Sequence, residues 1–394
     1  MSSNPSLPPL PLPEGVSSRQ VDTGPTGLSF HILEAGYTPA RNRPLIVLLH
    51  GFPEIAFSWR KVMPLLASAG FYVVAPDQRG YGRTTGWDSR PYSEVDLHDF
   101  SALNLVRDVV LLVNALGYKT VRCIVGHDFG ARPAALCALA RPDMFLSVVL
   151  LTHPYKGAPD LAAVLESSKG QPQSSDVHAD LAALGRKHYK WYYSTRTANE
   201  DMTHPPQGLK QFLRGYFHLK SASWSGNNPS PLKSWTATEL AKLPHYYVMP
   251  LNASMPEAVA LDMAQESDEA LENCRVWLPD SDLEVYASEY ARTGFQGGLN
   301  WYRVHTASNT EPLRFLDVLA GKRIEVPCSY ISGRKDWGTY QEPGALESMN
   351  SPEVCADFRG VTIIEGAGHW VPQEKPEEVA MGILDLVHSL DNGR

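Results

Sequence analysis

The sequence lacks the features that mark nucleic-acid-binding and membrane-spanning proteins. Its 394 residues contain no basic run and no stretch that interleaves aromatic and basic residues, and the formal net charge is −8. No apolar run approaches the length of a membrane-spanning helix. With 43% hydrophobic and 20% charged residues, the composition is that of an ordinary globular protein. We therefore expect a globular protein that binds neither nucleic acid nor a membrane.

Signals for disulfides and metal sites are also missing. The five cysteines form no C-x-x-C pair and lie far apart, at Cys123, Cys137, Cys274, Cys328 and Cys355. An odd, scattered set fits reduced thiols in a reducing compartment. The histidines do not form the H-x-x-x-H pair of a zinc site. The sequence thus predicts no metal and no cofactor.

The first 13 residues contain five prolines and lack the basic and apolar regions of a secretory signal. Proline-rich chain favours an extended conformation. We therefore expect residues 1–20 to form an N-terminal arm, and we expect the cytoplasm as the compartment.

A buried strand, a sharp turn and a helix are predicted in succession over residues 121–140. The turn is Gly-His-Asp-Phe-Gly at residues 126–130, which is a G-x-S-x-G nucleophile turn with Asp128 in place of serine. The glycines fit because such a tight turn leaves no room for a Cβ. A carboxylate here suits displacement at a saturated carbon, which gives an alkyl ester of the enzyme. Taken alone, the pentapeptide equally fits a solvated loop aspartate.

Three further strand ends supply partners for Asp128. Residues 44–49 form a continuous apolar run, followed by Phe52, whose backbone N–H would pair with that of Phe129 as an oxyanion hole. Asp336 follows a predicted strand at residues 327–332, and His369 follows another at 361–364. The order nucleophile, acid, histidine is the one expected of a hydrolase on an open α/β sheet, where sites lie past strand ends.

The element pattern divides the chain into two regions. Strands alternate with helices up to about residue 155 and again from about residue 326, which predicts a mainly parallel sheet flanked by helices. In between, helical patterns rich in tryptophan and tyrosine predominate. We predict a core formed by residues 1–155 and 310–394, with an inserted helical cap at 156–309.

Four motifs resemble those of the epoxide hydrolases that have the α/β-hydrolase fold. They are His-Gly-Phe-Pro at residues 50–53, Asp-Gln-Arg-Gly-Tyr-Gly at 77–82, Gly-His-Asp-Phe-Gly at 126–130 and Gly-Ala-Gly-His-Trp at 366–370. The resemblance covers residues 27 to 390. It implies conversion of an epoxide and water to a vicinal diol through an ester on Asp128, with His369, oriented by Asp336, activating the water.

In that family, two cap tyrosines hydrogen-bond the epoxide oxygen. Their segments match residues 189–193 and 300–303 here, which implies Tyr189 and Tyr302, with the choice between Tyr189 and its neighbouring tyrosines left open. A phenol has a pKa of about 10, so it stays protonated and can donate as charge builds on the oxygen. Residues 221–250 have no counterpart in the family pattern and lengthen the cap.

The expected substrate-binding residues are Trp337, His153 and Trp191. Aromatic clusters in helices are mostly core, so Trp191 also has a structural interpretation. The expected partners are a small-molecule epoxide and water, with a homodimer left open. The identity of the epoxide is not predicted.

Three alternatives remain at this point. A haloalkane dehalogenase also uses an aspartate, but it needs a halide donor after the nucleophile, and Phe129 cannot donate from its side chain. A fluoroacetate-type dehalogenase would use Arg132 to hold a carboxylate, although it usually has arginine where Phe129 stands. The third is a hydrolase-fold protein that binds a ligand without turnover.

Overall fold

The computed structural model describes residues 7–25, 27–166, 176–306 and 314–391. Ten strands are found in these ranges: β1 Val16–Asp22, β2 Ser29–Ala35, β3 Leu45–Leu49, β4 Tyr72–Pro76, β5 Cys123–His127, β6 Val148–Leu151, β7 Arg186–His188, β8 Val248–Pro250, β9 Cys328–Gly333 and β10 Phe358–Ile364.

Helices occupy both the sheet region and the segment between β6 and β9. They are α1 Val62–Ser68, α2 Ala102–Ala115, α3 Ala131–Ala140, α4 Leu161–Glu166, α5 Val177–Ala183, α6 Tyr189–Tyr193, α7 Ala198–Thr203, α8 Leu209–Lys220, α9 Ala237–Leu240, α10 Met255–Met263, α11 Asp268–Trp277, α12 Asp280–Thr293, α13 Gln296–Thr306, α14 Ala345–Met349, α15 Val371–Glu374 and α16 Pro376–Ser389. Across the described part of the chain, no helix combines the length and apolar character needed to cross a bilayer.

Eight strands form one sheet in the order β1-β2-β4-β3-β5-β6-β9-β10. The two pairs that involve β2 are antiparallel, and every other pair is parallel. The predicted mainly parallel sheet is thus confirmed. Because the carboxyl ends of β3, β5, β9 and β10 lie at one edge, the loops that follow them meet there.

Helices cover both faces of the sheet, and the strand sequences explain why. In β3, alternate residues enter opposite cores: Leu45, Val47 and Leu49 pack on one side, and Ile46 and Leu48 on the other. Helices α2 and α3 cover the first side, whereas α1 and α16 cover the second. A strand buried on both faces needs the unbroken apolar run that the sequence shows.

The N-terminal arm requires a correction. We predicted an arm over residues 1–20, but Val16–Asp22 forms the edge strand β1. Val16 pairs with Ala35 and Asp22 with Ser29. Most side chains of β1 are exposed and polar, so no hydrophobic pattern marks this strand in the sequence. Residues 1–6 of the predicted arm lie outside the described residues.

The segment between β6 and β9 is mostly helical. We call α4–α13 together with β7 and β8 the cap segment. Its aromatic core is continuous with Phe52 and Tyr81 from the loops at the sheet edge. The predicted boundary at residues 309 and 310 lies outside the described residues, and the predicted division into core and cap stays a prediction.

Candidate active site

The turn after β5 holds Asp128 in a strained conformation. Its φ is 50°, in the left-handed region that non-glycine residues seldom adopt. A Cβ on Gly126 would lie 2.2 Å from the carbonyl oxygen of Gly130, and one on Gly130 would lie 2.4 Å from that of His50. Both glycines are therefore required for the turn. Strain of this kind persists where the surroundings enforce it, often at functional sites.

The carboxylate of Asp128 has a different environment at each oxygen. The Phe52 N–H donates to Oδ1 at 3.0 Å, and Oδ2 lies 3.3 Å from Nε2 of His369. Burial raises the pKa of Asp128, but the contact with His369 and the positive charge of Lys220 outweigh it and hold the pKa below its usual range. Asp128 is thus ionised at neutral pH. Phe129 directly follows Asp128 in the chain, which is the position that the predicted oxyanion hole requires for its second N–H donor.

His369 is held between two carboxylates. Its Nδ1 lies 3.0 Å from Oδ1 of Asp336. Asp336 in turn accepts hydrogen bonds from Gly338 N–H at 2.7 Å and from the hydroxyl of Ser332 at 3.1 Å. Among the described residues, Nε2 of His369 has no hydrogen-bond partner, because its approach to Asp128 lacks hydrogen-bond geometry. This nitrogen is available to take a proton from water.

Tyr189 and Tyr302 line the same cavity as Asp128, which has a volume of about 250 Å³. Burial raises the pKa of both phenols well above the usual value, so both stay protonated. The hydroxyl groups of Tyr192 and Tyr193 are directed to Asp201 and Tyr216, and neither residue lines this cavity. The hydroxyl of Tyr189 donates to Oε1 of Gln341, which itself lines the cavity, so the geometry favours Tyr189 as the tyrosine of α6 that borders the same space as Asp128.

Two of the three predicted substrate-binding residues line this cavity. The lining consists of Asp128, Phe129, Arg132, His153, Tyr189, Lys190, Trp191, Trp235, Tyr302, His305, Thr306, Gln341 and Glu342. Trp337 is absent from this set. It follows Asp336 in the sequence, but its side chain is buried in the aromatic core, so the cavity gives no support to its predicted role.

A buried pair formed by His127 and Glu54 lies next to the groups described above and was not singled out from the sequence. Nδ1 of His127 lies 2.6 Å from Oε2 of Glu54, and Nε2 of His127 lies 2.8 Å from the carbonyl oxygen of His369. Burial lowers the pKa of His127, but the Glu54 carboxylate outweighs it and raises the pKa overall. This pair ties the loop after β3 to the loop that carries His369. His127 lies in the motif that contains Asp128, and Glu54 directly follows the motif that contains Phe52, which was the available signal.

Lys220 was also missed. Its ammonium lies 4.8 to 5.8 Å from the centres of four aromatic rings, those of Tyr216, Tyr246, Tyr247 and Trp370. Its carbonyl oxygen accepts the backbone N–H of His369 at 2.8 Å. A cation over aromatic faces is stabilised by the ring quadrupoles. The sequence gives no signal for this arrangement, because two of the four rings come from residues 221–250, which have no counterpart in the family pattern.

Within the described residues, no group of three or more His, Cys, Asp or Glu side chains is arranged to hold a metal ion. The site's chemistry can instead be written with the carboxylate, imidazole and phenol groups described above.

Comparisons with known proteins identify the family of this chain. Residues 44–179 match the family model of the alpha/beta hydrolase fold. Epoxide hydrolase B of Mycobacterium tuberculosis is 32% identical over 89% of this chain and 93% of its own length. Epoxide hydrolase 3 of Siraitia grosvenorii is 27% identical over 92% of this chain and 96% of its own.

Solved structures give the same result. An evolved variant of potato epoxide hydrolase superposes with a TM-score of 0.70 at 29% identity, covering 95% of this chain and 99% of its own. An epoxide hydrolase from an endophytic Streptomyces gives 0.71 at 28% identity, with 96% and 97% covered. The predicted fold and reaction are confirmed. The chain belongs to the epoxide hydrolases of the α/β-hydrolase fold, and its reaction is the hydrolysis of an epoxide.

Proposed function

We propose that the reaction proceeds through a covalent ester on Asp128 and yields a vicinal diol. The observation that carries the proposal is that one cavity is lined by an ionised carboxylate and two protonated phenols, with a histidine in contact with that carboxylate. A carboxylate attacks a saturated carbon well, whereas the leaving oxygen of an epoxide needs a proton donor. Asp128, Tyr189 and Tyr302 supply these two requirements.

In the first stage, Oδ2 of Asp128 is the attacking atom, because Oδ1 is engaged by the N–H of Phe52. A bond forms between Oδ2 and an oxirane carbon while the ring C–O bond breaks. The ring oxygen takes a proton from Tyr189 or Tyr302. The product is a hydroxyalkyl ester of the enzyme.

In the second stage, His369 removes a proton from water, and the resulting hydroxide attacks Cγ of Asp128. Charge develops on Oδ1, which already faces the N–H of Phe52 and would gain that of Phe129. The tetrahedral species then expels the diol oxygen, which takes the proton from His369. The carboxyl proton of Asp128 restores the tyrosine. Asp336 stabilises the imidazolium that forms between these steps.

The cap segment forms the lid of this site in our proposal, with residues 156–309 inserted into a core of 1–155 and 310–394. His153 and Trp191 contact the substrate. The cytoplasmic location and the homodimer stay predictions from the sequence.

A single-turnover reaction in water enriched in heavy oxygen tests the ester. With enzyme in excess over styrene oxide, the label should enter the peptide that carries Asp128, and the diol should contain none, because its new oxygen comes from Oδ2. Label in the diol of the first turnover would show direct attack by water and would refute the ester.

A further inference from the structure

Arg132 is a partly buried cation without a hydrogen-bond or ion-pair partner in the described ranges, four residues after the nucleophile. Its Nε is shielded from solvent and has no hydrogen-bond partner, and its guanidinium forms no ion pair with any residue in the described ranges. A buried charge is costly unless it is paired and hydrogen-bonded. Burial lowers the pKa of Arg132, but a guanidinium still keeps its proton at neutral pH. An anion that is not part of the chain would supply the partner that Arg132 lacks.

The position of Arg132 places such an anion close to the reacting atoms. Asp128 lies in the turn three residues before helix α3 begins, Arg132 is the second residue of that helix, and both line the cavity of about 250 Å³. A helical side chain is also tilted toward the N-terminus, which here is the direction of Asp128.

Tyr155 provides a second unsatisfied donor in the same region. Its hydroxyl is buried and has no hydrogen-bond partner in the described part of the chain. Tyr155 lines an adjoining cavity of about 100 Å³, which shares Arg132, His153 and Glu342 with the first. Burial raises the pKa of Tyr155, so this phenol remains a donor. Two donors that lack acceptors therefore line two cavities that share part of their walls.

Among the ionisable groups near Arg132, the Glu342 carboxylate raises the pKa of Arg132 but forms no ion pair with it. Glu342 is paired with Lys190, whose Nζ lies 3.1 Å from Oε1. Burial lowers the pKa of His153 and of His305, so both imidazoles are neutral at pH 7. With the Lys190–Glu342 pair balanced, the positive charge of Arg132 is in excess in this part of the cavity, whose lining also includes the negative charge of Asp128.

We propose that Arg132 and Tyr155 form an anion subsite that binds a carboxylate carried by the epoxide, so that the substrates of choice are short epoxy acids. The proposal rests on Asp128 being the nucleophile. Because Arg132 is near Asp128, the carboxylate and the oxirane must be only a few bonds apart. Pairing with Arg132 also offsets the repulsion between the carboxylates of the substrate and of Asp128.

The test compares 3-phenylglycidate with 3-phenylglycidamide, which share a skeleton and differ in charge. The wild-type enzyme should favour the carboxylate in kcat/KM by about ten- to a hundredfold, the value of a charge-assisted hydrogen bond. In Arg132→Gln this ratio should collapse towards one, with the loss appearing in KM, and Arg132→Lys should retain part of it. Tyr155→Phe should reduce the ratio by a smaller factor.

Arg141→Gln is the matched control. Arg141 caps the C-terminal end of the same helix, where it is exposed and bonded to Asp143. This variant should keep the full preference. Absence of a preference in the wild type, or equal preference in wild type and Arg132→Gln, would overturn the subsite.

A measurement on the wild type alone covers the case in which Arg132→Gln does not fold. Phenylacetate should inhibit styrene oxide hydrolysis competitively and at least tenfold more strongly than phenylacetamide. Equal or weaker inhibition by phenylacetate would refute the subsite. Styrene oxide is neutral and does not need Arg132. Its turnover without inhibitor therefore tests the ester mechanism separately from the anion subsite.

Discussion

The sheet edge and the cap segment contribute different chemistry to one site. From the sheet edge come Asp128, Asp336 and His369, which are ionisable and held by backbone groups and short loops. From the cap come Tyr189 and Tyr302, which stay neutral because burial raises their pKa values. The difference implies that ester formation needs both regions, whereas ester hydrolysis depends mainly on the sheet edge.

The largest effect is expected at the nucleophile. Asp128→Asn should reduce turnover by roughly 10⁴-fold or more, because an amide attacks poorly and removal of a nucleophile is among the most damaging changes in a hydrolase. Steady-state hydrolysis of styrene oxide measures this. Peptide mass must be followed in parallel, since deamidation would restore aspartate. Substantial activity in protein that still contains asparagine would remove Asp128 from its role.

The next largest effect is expected at the two tyrosines of the cap segment. Tyr302→Phe and Tyr189→Phe should each slow ester formation by an amount comparable to the loss of an oxyanion-hole donor, about 2–4 kcal/mol or roughly ten- to a thousandfold. The double variant should lose nearly all activity, because the ring oxygen then lacks a donor. Stopped-flow single-turnover kinetics separate the two stages. Normal ester formation in the double variant would show that the tyrosines only pack.

Tyr192→Phe serves as the control for this series. Tyr192 is on the same helix as Tyr189, but its hydroxyl bonds Asp201 away from the cavity. We expect ester formation at the wild-type rate in this variant.

A smaller effect is expected at Lys220, which links the two regions. Lys220→Met keeps a long side chain but removes the charge from the aromatic cage and from the surroundings of Asp128. A cation among aromatic rings contributes about 1–2 kcal/mol, so we expect a lower melting temperature and a severalfold slower turnover. The exposed Lys210 on the same helix, which pairs with Glu284, provides the control variant Lys210→Met. Identical behaviour of the two variants would contradict a role for the cage.

The smallest effect is expected at the outer part of the cavity. Trp235 lines the cavity but is 40% exposed. Trp235→Ala should raise KM by roughly two- to fivefold and leave kcat unchanged, since it removes binding common to ground and transition states. A large drop in kcat would instead place Trp235 close to the reacting atoms.

Parts of this site could be predicted from the sequence because backbone constraints leave a pattern. Asp128 is enclosed by glycines that the turn requires, and His369 and Asp336 each follow an apolar strand. Tyr302 and Tyr189 had no such pattern and were inferred from family resemblance. The Lys220 cage could not be predicted, because its rings meet only through tertiary packing.

Two features of the structure could not be predicted from the sequence. Trp337 is adjacent to Asp336 in the sequence, yet its side chain enters the aromatic core, since neighbours along a turn point in different directions. Strand β1 is polar and exposed, so its composition gives no sign of a strand. It is a strand because it pairs with β2.

The variant His369→Gln tests most directly whether ester hydrolysis can be stopped at the sheet edge while ester formation continues. Loss of the base should stop the second stage and leave the first intact, so that the ester accumulates. After mixing with styrene oxide, intact-protein mass spectrometry should show one adduct per chain, and peptide mapping should locate it on the peptide that carries Asp128. Unchanged steady-state turnover, or an adduct on a different peptide, would contradict the central claim.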